Sequence, residues 1–297
     1  MRVFVTGASG FVGSAVVPEL IGAGHQVVGL ARSEASAKAL TTAGATVLRG
    51  DLGDLDSLRR GAQDADGVIH LAFNHDFANY ANNGQLDRDA IDAMGDVLAG
   101  TGKPLIVTSG TGGIAVGQVA TEDMAMPDWT PRKSESAVFA FTDRNVRTTA
   151  IRLAPSTHGR WDKNFMAGFV SAAIEAARAK GVSPYVSDGQ NRWTAVHRLD
   201  AARLYRLALE KGVAGRCYHA IGDEAVPFKS IAETIGRRLA VPVKSIAAED
   251  AAAHFGFISM FTGLDIPASS AITQAALGWK PREIGLLADI EANVSVA

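Results

Sequence analysis

The sequence predicts an α/β fold of Rossmann type, in which a doubly wound parallel sheet is followed by a smaller C-terminal region of mixed α/β structure. Three observations support this prediction. A glycine-rich turn directly follows the first apolar run, short β-branched runs alternate with amphipathic segments through the first half of the chain, and 297 residues are enough to bury a full core. Because strands that alternate with helices pair in parallel, helices must cover both faces of the sheet.

The first element is the run from Val3 to Thr6, whose β-branched and apolar side chains predict a buried strand. Gly7, Gly10 and Gly13 follow it, and the apolar spacing from Phe11 to Leu20 predicts a helix. Glycines in such a turn permit positive φ and let a ligand touch the backbone, while the start of the helix attracts a phosphate. The turn is therefore predicted to hold the phosphates of a dinucleotide.

Strands and helices continue to alternate after this first unit. Short apolar runs predict strands at Gln26–Leu30, Ala45–Leu48, Gly67–Leu71, Pro104–Thr108, Arg147–Leu153, Trp193–His197 and Arg216–Ile221. Amphipathic spacing and capping residues predict helices at Glu34–Thr42, Asp54–Gly61, Gly84–Leu98, Ser134–Thr142, Asp162–Lys180, Asp200–Glu210 and Pro227–Leu239. We therefore predict a dinucleotide-binding domain over residues 1–155 and a substrate-binding region over residues 156–297, with segments around 193–221 returning to the main sheet.

Composition narrows the partners and the compartment. The formal charge is −2 and like charges form no run, so neither nucleic acid nor an anionic membrane is expected as a partner. No apolar segment reaches the roughly 18 residues that a membrane span needs. A single cysteine and an N-terminus without the features of a secretory leader predict a cytoplasmic protein. The seven histidines show no metal-ligand spacing, so no metal is expected.

The end of the second predicted strand indicates which dinucleotide binds. An acidic side chain there would hold the ribose 2′-hydroxyl of NAD(H), whereas an arginine accommodates the 2′-phosphate of NADP(H). The segment LARS supplies Arg32 and Ser33 but no carboxylate. We therefore predict NADP(H) as the cofactor, with Asp51 and Leu52 over its adenine ring. The predicted cofactor-binding residues are Gly7, Ser9, Gly10, Phe11, Val12, Gly13, Arg32, Ser33, Asp51, Leu52, Leu71, Ala72 and Phe73.

Several further motifs resemble one family. The segments VTGASGFVG, GDLGD, VIHLAF and VTSGT, followed by IRLAPSTHG and WTAVHRLDAARLY, are similar to those of the short-chain dehydrogenase/reductase superfamily, in its extended or atypical branch, the NAD-dependent epimerase/dehydratase-like group. The resemblance covers most of the chain. It implies a Rossmann domain, a C-terminal substrate region and hydride transfer at a nicotinamide. Dimers are frequent in this superfamily, so the resemblance makes a homodimer one candidate assembly, while the sequence does not fix the oligomeric state.

The sequence departs from the catalytic pattern that this resemblance implies. The family uses a Ser or Thr after the fifth strand together with a Tyr-x-x-x-Lys motif, which polarise the carbonyl and transfer the proton. No tyrosine of this chain has a lysine four positions later, and the expected Tyr and Lys positions fall near Pro127 and Pro131. Proline can perform neither role. The chain is thus expected to lack the Tyr-x-x-x-Lys motif.

Other side chains are candidates for the missing roles. Ser109 and Thr111 follow the fifth strand and are predicted to support the oxyanion. His75 and His158 lie in segments at the carboxyl ends of strands four and six and are predicted as alternative proton donors, with Tyr80 as a third candidate. Ordered water is a further alternative for the proton. Arg132 and Lys133, close to the missing motif, are interpreted as solvated charges.

We predict an NADP(H)-dependent oxidoreductase that acts on a ketone, an aldehyde or a secondary alcohol. Aromatic and Met side chains suggest an apolar substrate, and they are Trp161, Phe165, Met166, Trp193, Phe255, Phe257, Met260 and Phe261. The alternative is a non-catalytic NADP(H)-binding sensor that regulates a partner. A sugar-nucleotide epimerase or dehydratase is disfavoured, since the second strand has no acidic end and the Tyr-x-x-x-Lys motif is missing. Arg192 resembles a family position that contacts a substrate phosphate, and pairing with Asp188 or Asp200 is an equal alternative. The loop 112–133 replaces the catalytic motif and is a candidate lid.

Overall fold

The computed structural model describes residues 1–76, 79–161, 164–166 and 168–295. Its main parallel sheet contains β1 (Arg2–Thr6), β2 (Gln26–Ala31), β3 (Thr46–Arg49), β4 (Gly67–His70), β5 (Pro104–Gly110), β6 (Arg147–Leu153) and β11 (Arg216–Ala220). Within the described residues these seven strands lie in the order β11-β6-β5-β4-β1-β2-β3. The strand order changes direction at β1, which is the point where open α/β sheets bind ligands. The predicted fold class is confirmed.

Helices cover both faces of this sheet. The helices that pack on it are α1 (Gly13–Gly22), α2 (Glu34–Thr42), α3 (Leu55–Gln63), α4 (Tyr80–Leu98), α5 (Ser134–Phe139) and α7 (Arg198–Lys211). Successive side chains of β1 point to opposite faces of the sheet, so they belong to two separate parts of the core. Val3 and Val5 pack with α1, α2 and α7, whereas Phe4 packs with α3, α4 and α5. No helix within the described ranges is both long enough and apolar enough to cross a bilayer.

The remaining elements form a smaller C-terminal layer. Its strands are β7 (Ser156–Trp161), β8 (Asn164–Met166), β9 (Ser183–Val186), β10 (Arg192–His197), β12 (Asp223–Pro227) and β13 (Val243–Ile246). Its helices are α6 (Phe169–Lys180), α8 (Phe228–Leu239), α9 (Ala251–Phe255), α10 (Ser259–Thr262), α11 (Ala271–Leu277) and α12 (Leu286–Asn293). The strands pair as β12-β10-β7-β8 and as β13-β9, and buried Trp193 packs in the core between them and the helices.

The C-terminal elements differ from the sequence prediction in two places. The predicted helix Asp162–Lys180 is wrong at Asn164–Met166, because β8 pairs antiparallel with β7 there, and α6 begins only at Phe169. Asp162, Lys163 and Ala167 lie outside the described residues. Of the segments around 193–221, β11 pairs with β6 in the main sheet, while β10 pairs with β7 and β12. The alternation of apolar residues reveals a strand but not which sheet it joins.

Candidate active site

The glycine turn between β1 and α1 is packed as a cradle. Gly7 adopts a φ of +65°, and the Gly10 N–H donates to the Gly7 carbonyl at 3.0 Å. A Cβ atom on Gly13 would lie 2.1 Å from the Gly7 oxygen, and one on Gly7 would lie 2.7 Å from the Ala72 nitrogen. No side chain larger than hydrogen fits at either position. The arrangement leaves the backbone and the start of α1 accessible to a phosphate, so these residues fit a dinucleotide.

A cavity of about 2570 Å³ runs from this cradle along the carboxyl ends of the main-sheet strands. Twelve of the thirteen predicted cofactor-binding residues line it: Gly7, Ser9, Gly10, Phe11, Val12, Gly13, Arg32, Asp51, Leu52, Leu71, Ala72 and Phe73. Ser33 does not line the cavity. Its hydroxyl instead caps α2 by accepting the Ser36 N–H at 3.1 Å, and Ser36 lines the cavity in its place.

Arg32 lies at the end of β2 with its side chain exposed to the cavity. Among the described residues it forms neither a hydrogen bond nor an ion pair. The neighbouring strand gives a contrast, since Arg49 pairs with Glu34. The guanidinium of Arg32 therefore has no carboxylate partner among the described residues. Its N–H groups are available to donate to a phosphate.

The hydroxyls of Ser109 and Thr111, the predicted oxyanion donors, contact other groups of the protein. Ser109 lines the cavity, but its hydroxyl donates to the Glu135 carboxylate at 2.5 Å, and a hydroxyl has only one proton to give. Thr111 is buried and is not among the residues that line the cavity. Its hydroxyl lies 3.5 Å from the Leu153 carbonyl and 3.4 Å from the Thr194 hydroxyl. Sequence position alone could not reveal these partners.

His158, a predicted proton donor, lies away from the cavity. The side chain is fully buried in β7 and does not line the cavity. Its Nδ1 lies 2.6 Å from the Asp289 carboxylate, and its ring packs edge-on against His197 at 5.3 Å. The prediction placed His158 in a loop at the carboxyl end of the sixth strand. The chain instead continues almost directly into another strand, which turns the histidine into the core.

His75 and Tyr80, in contrast, both line the cavity and both contact Phe73. The centroid of the Phe73 ring is 5.3 Å from that of His75 and 5.8 Å from that of Tyr80. Desolvation, followed by the charge of Arg132, lowers the pKa of His75, so its imidazole is neutral near pH 7. Desolvation raises the pKa of Tyr80, although Arg132 opposes this, so its hydroxyl keeps its proton.

Arg132 is not a solvated charge, and that interpretation is wrong. Its guanidinium lies 4.0 Å above the Phe73 ring, and the side chain is only 16% exposed. Nε donates to the Ser134 hydroxyl at 2.8 Å, and Nη2 donates to the Thr108 carbonyl at 2.5 Å and lies 3.5 Å from Asp87. Lys133 lies nearer the surface, where it donates to the Asp128 carbonyl.

A buried polar network at the wall of the cavity was not predicted from the sequence. Register places Ser109, Arg152 and His219 side by side on β5, β6 and β11. Arg152, 1% exposed, donates Nε and Nη2 to the two oxygens of Glu135 at 2.8 and 2.7 Å. The Cys217 thiol also donates to Glu135 at 3.5 Å, and burial raises the pKa of this thiol to about 12. The position of Arg152 within the apolar segment AIRL of β6 is the sequence signal that could have indicated a buried partner.

The far side of the cavity is apolar. Met166, Phe169, Phe257, Met260 and Phe261 line it, and the rings of Phe169 and Phe261 stack at 4.8 Å with an angle of 21°. Among the predicted aromatic residues, Trp193 and Phe255 pack in the C-terminal core instead. The side chains of Trp161 and Phe165 lie outside the described structure.

The loop 112–133 is the candidate lid that the sequence predicts. In the structure, contacts near the centre of this loop anchor it. The Gly117 N–H donates to the Asp265 carbonyl at 2.8 Å, and Ala120 pairs with Ala268 as a parallel bridge. Buried Glu122 accepts the backbone N–H and the hydroxyl of Thr273. These contacts fix the first half of the loop to the C-terminal layer, so any motion of a lid is limited to the segment after Glu122.

Arg192 forms an ion pair with Asp265, and not with Asp188 or Asp200, the partners that the sequence offered as one alternative. Its Nε and Nη2 donate to the two carboxylate oxygens at 2.9 and 2.7 Å. Asp200 instead pairs with Arg203 and accepts backbone N–H groups from Arg282 and Glu283. The partner is far away in sequence, so spacing could not identify it.

Known proteins resemble this chain in sequence and in fold. Residues 3–101 match the NAD dependent epimerase/dehydratase family. An uncharacterised protein of Saccharomyces cerevisiae is 46% identical over 301 residues, and the match spans 100% of both chains. The decarboxylating sterol-4-alpha-carboxylate 3-dehydrogenase of Dictyostelium discoideum is 29% identical over 250 residues, or 77% of this chain and 73% of that enzyme. The UDP-glucose 4-epimerase of Thermus thermophilus, solved in complex with NAD, has a TM-score of 0.74 at 18% identity, covering 99% of this chain and 98% of its own.

Proposed function

Because the chain belongs to the NAD-dependent epimerase/dehydratase-like branch of the extended short-chain dehydrogenase/reductases, we propose that it is an NADP(H)-dependent oxidoreductase acting on an apolar ketone, aldehyde or secondary alcohol. The observation that carries the cofactor choice is Arg32, an exposed cation beside the glycine cradle with no carboxylate partner in the described structure. The apolar side chains that line the far side of the same cavity support an apolar substrate.

Each part of the cavity has a role in this proposal. The glycine cradle and the first N–H groups of α1 would hold the pyrophosphate. Arg32 would hold the 2′-phosphate, and Asp51 and Leu52 would cover the adenine ring. When bound, the reduced nicotinamide supplies a hydride. Phe73 and the residues around it would orient the substrate carbonyl, while the apolar side chains exclude water from it.

The proposal predicts that Arg32→Ala weakens NADPH binding without changing NADH binding. Hydrogen bonds to a charged group contribute about 1.5–3 kcal/mol, so the Kd for NADPH should rise roughly 10- to 100-fold. Titration of both cofactors by fluorescence measures the difference. Arg49→Ala is the matched control, since Arg49 ends the adjacent strand and pairs with Glu34 outside the cavity. An equal loss of affinity for NADPH and NADH would contradict the assignment of Arg32.

The alternatives are a sugar-nucleotide epimerase or dehydratase and a non-catalytic sensor. A sugar-nucleotide enzyme must bind a diphosphate, but Arg192 is neutralised by Asp265 and does not line the cavity. A sensor would need no apolar chamber beyond its cofactor cleft. We expect NADPH to be oxidised in the presence of aryl or alkyl ketones, whereas a sugar-nucleotide epimerase or dehydratase would oxidise no NADPH with these ketones. Tight NADPH binding without turnover on any carbonyl would favour the sensor.

A further inference from the structure

The site described above lacks the usual source of oxyanion stabilisation. Hydride addition to a carbonyl carbon pushes the π electrons onto oxygen, and the developing alkoxide needs donors that already face it. Ser109 gives its proton to Glu135. Burial alone would raise the pKa of Glu135, but hydrogen bonds and the charge of Arg152 hold it below its ordinary value, so Glu135 is ionised and accepts that proton. Thr111 does not line the cavity.

Arg132 offers the donor that these hydroxyls do not. Ser134, Thr108 and Asp87 fix one side of its guanidinium, and the Phe73 ring supports its face at 4.0 Å. These contacts use Nε and Nη2. The third nitrogen, Nη1, makes no hydrogen bond to any residue in the described ranges, and Arg132 lines the cavity. A cation held along one edge and on one face, with one donor nitrogen left over, is organised in advance to bind an oxyanion.

The location of Arg132 also fits this role. Phe73 follows β4 and Thr108 lies in β5, so the guanidinium bridges the carboxyl ends of the two central strands. Tyr80 packs on the same Phe73 ring from the start of α4. Arginine and tyrosine thus meet at one aromatic ring, although neither belongs to a Tyr-x-x-x-Lys motif.

We infer that Arg132 stabilises the alkoxide through Nη1 and that Tyr80 gives it the proton, so that a pair from two different elements performs the role of the absent motif. This inference rests on the proposed function. In the reduction, a hydride would leave NADPH, which becomes NADP⁺, and would form a C–H bond at the carbonyl carbon. The C=O π pair would become an oxygen lone pair, and the Tyr80 O–H proton would move to that oxygen. Solvent then returns a proton to the tyrosinate. The imidazole of His75 is neutral near pH 7 because its pKa is lowered. The N–H of a neutral imidazole is a weaker acid than the hydroxyl of tyrosine.

The first test compares Arg132→Met, Arg132→Lys and Arg144→Met. With a ketone that the wild type reduces, Arg132→Met should lower kcat roughly 100- to 1000-fold, and the Kd for NADPH should stay within about two-fold. Arg132→Lys keeps the charge and should recover part of the rate, as should added guanidinium with Arg132→Met. Arg144 is the matched control because it also covers a phenylalanine, Phe141, but outside the cavity. An unchanged kcat in Arg132→Met would overturn the inference.

Tyr80→Phe tests the proton donor separately. The wild-type rate of reduction should fall at high pH as the tyrosine ionises, and this basic limb should be absent in Tyr80→Phe, whose rate is lower throughout. A basic limb that persists in Tyr80→Phe would exclude Tyr80 as the acid.

A binding experiment separates this inference from the proposed function. The carboxylate of 4-phenylbutyrate presents an anionic oxygen and an apolar tail, and calorimetry measures its affinity for the NADP⁺ complex. We expect Arg132→Met to weaken binding at least about ten-fold and Arg144→Met to leave it unchanged. If the wild type reduces no carbonyl but this difference is found, the proposed function fails and Arg132 remains the oxyanion-binding group. Equal affinity in the wild type and Arg132→Met would overturn the role of Arg132, whatever the activity.

Discussion

Replacement of Gly13 with alanine is expected to abolish useful dinucleotide binding. The new methyl group would lie 2.1 Å from the Gly7 oxygen and 2.8 Å from backbone atoms of Ala8, so the turn and the start of α1 must separate. Overpacking of this kind costs about 1–3 kcal/mol of stability. The loss of several phosphate contacts should raise the Kd for NADPH by roughly 100-fold or more. Titration with NADPH and denaturant unfolding measure the two effects.

Gly22→Ala is the control for this substitution. Gly22 ends the same helix, and a Cβ atom there would meet no other atom within 4 Å. We expect its NADPH affinity to match the wild type and its stability to stay equal or rise slightly. If Gly13→Ala binds NADPH as tightly as Gly22→Ala does, the cradle is not the phosphate site.

A large loss of folding stability is expected from Glu135→Ala. This substitution leaves the buried Arg152 guanidinium without its carboxylate partner, and loss of one member of a buried pair costs about 3–5 kcal/mol. The free energy of unfolding in denaturant measures the change. Glu175→Ala removes an exposed partner of Arg178 and should cost at most about 1 kcal/mol. Similar losses in the two variants would contradict the structural role given to Glu135.

The same pair predicts a dependence of stability on pH. Burial would raise the pKa of Glu135, but Arg152 and the Ser109 hydroxyl outweigh it, and the pKa lies below its ordinary value of 4.5 in the folded protein. The stability that this shift contributes is therefore complete above about pH 4.5 and is lost as the pH falls through the lower folded-state value. The wild type should lose more stability than Glu135→Gln over that acid range. Parallel curves for the two proteins would contradict the prediction.

Local sequence patterns were sufficient for the fold and for the glycine turn that opens the cavity. Glycines before a helix predict a tight turn from the sequence alone. The structure has this turn, and a Cβ atom at Gly7 or Gly13 would collide with the backbone. Alternating strands and helices fixed the parallel sheet because few topologies are compatible with them. The position of Arg32 follows from the same local unit, in which β2 ends beside the cleft.

The catalytic groups depended on contacts that spacing does not encode. The hydroxyl of Ser109 is committed by Glu135, a residue 26 positions away, and Arg192 is neutralised by Asp265, which is 73 positions away. Arg132 was misinterpreted because a cation in a proline-containing loop is usually solvated, whereas this one covers a ring from a different loop. Its partners come together only when β4, β5 and the start of α5 pack.

The measurement that tests the proposed function most directly follows the hydride itself. The protein is incubated with an apolar ketone and with NADPH that carries deuterium at the transferable position of the nicotinamide, and the products are examined by mass spectrometry. We predict that deuterium appears on the carbinol carbon of the product alcohol in the amount of NADPH consumed. An epimerase would consume no NADPH in net turnover, and a sensor would leave the label in the bound cofactor. Recovery of all the deuterium in NADPH, with every carbonyl unchanged, would contradict the assignment as an oxidoreductase.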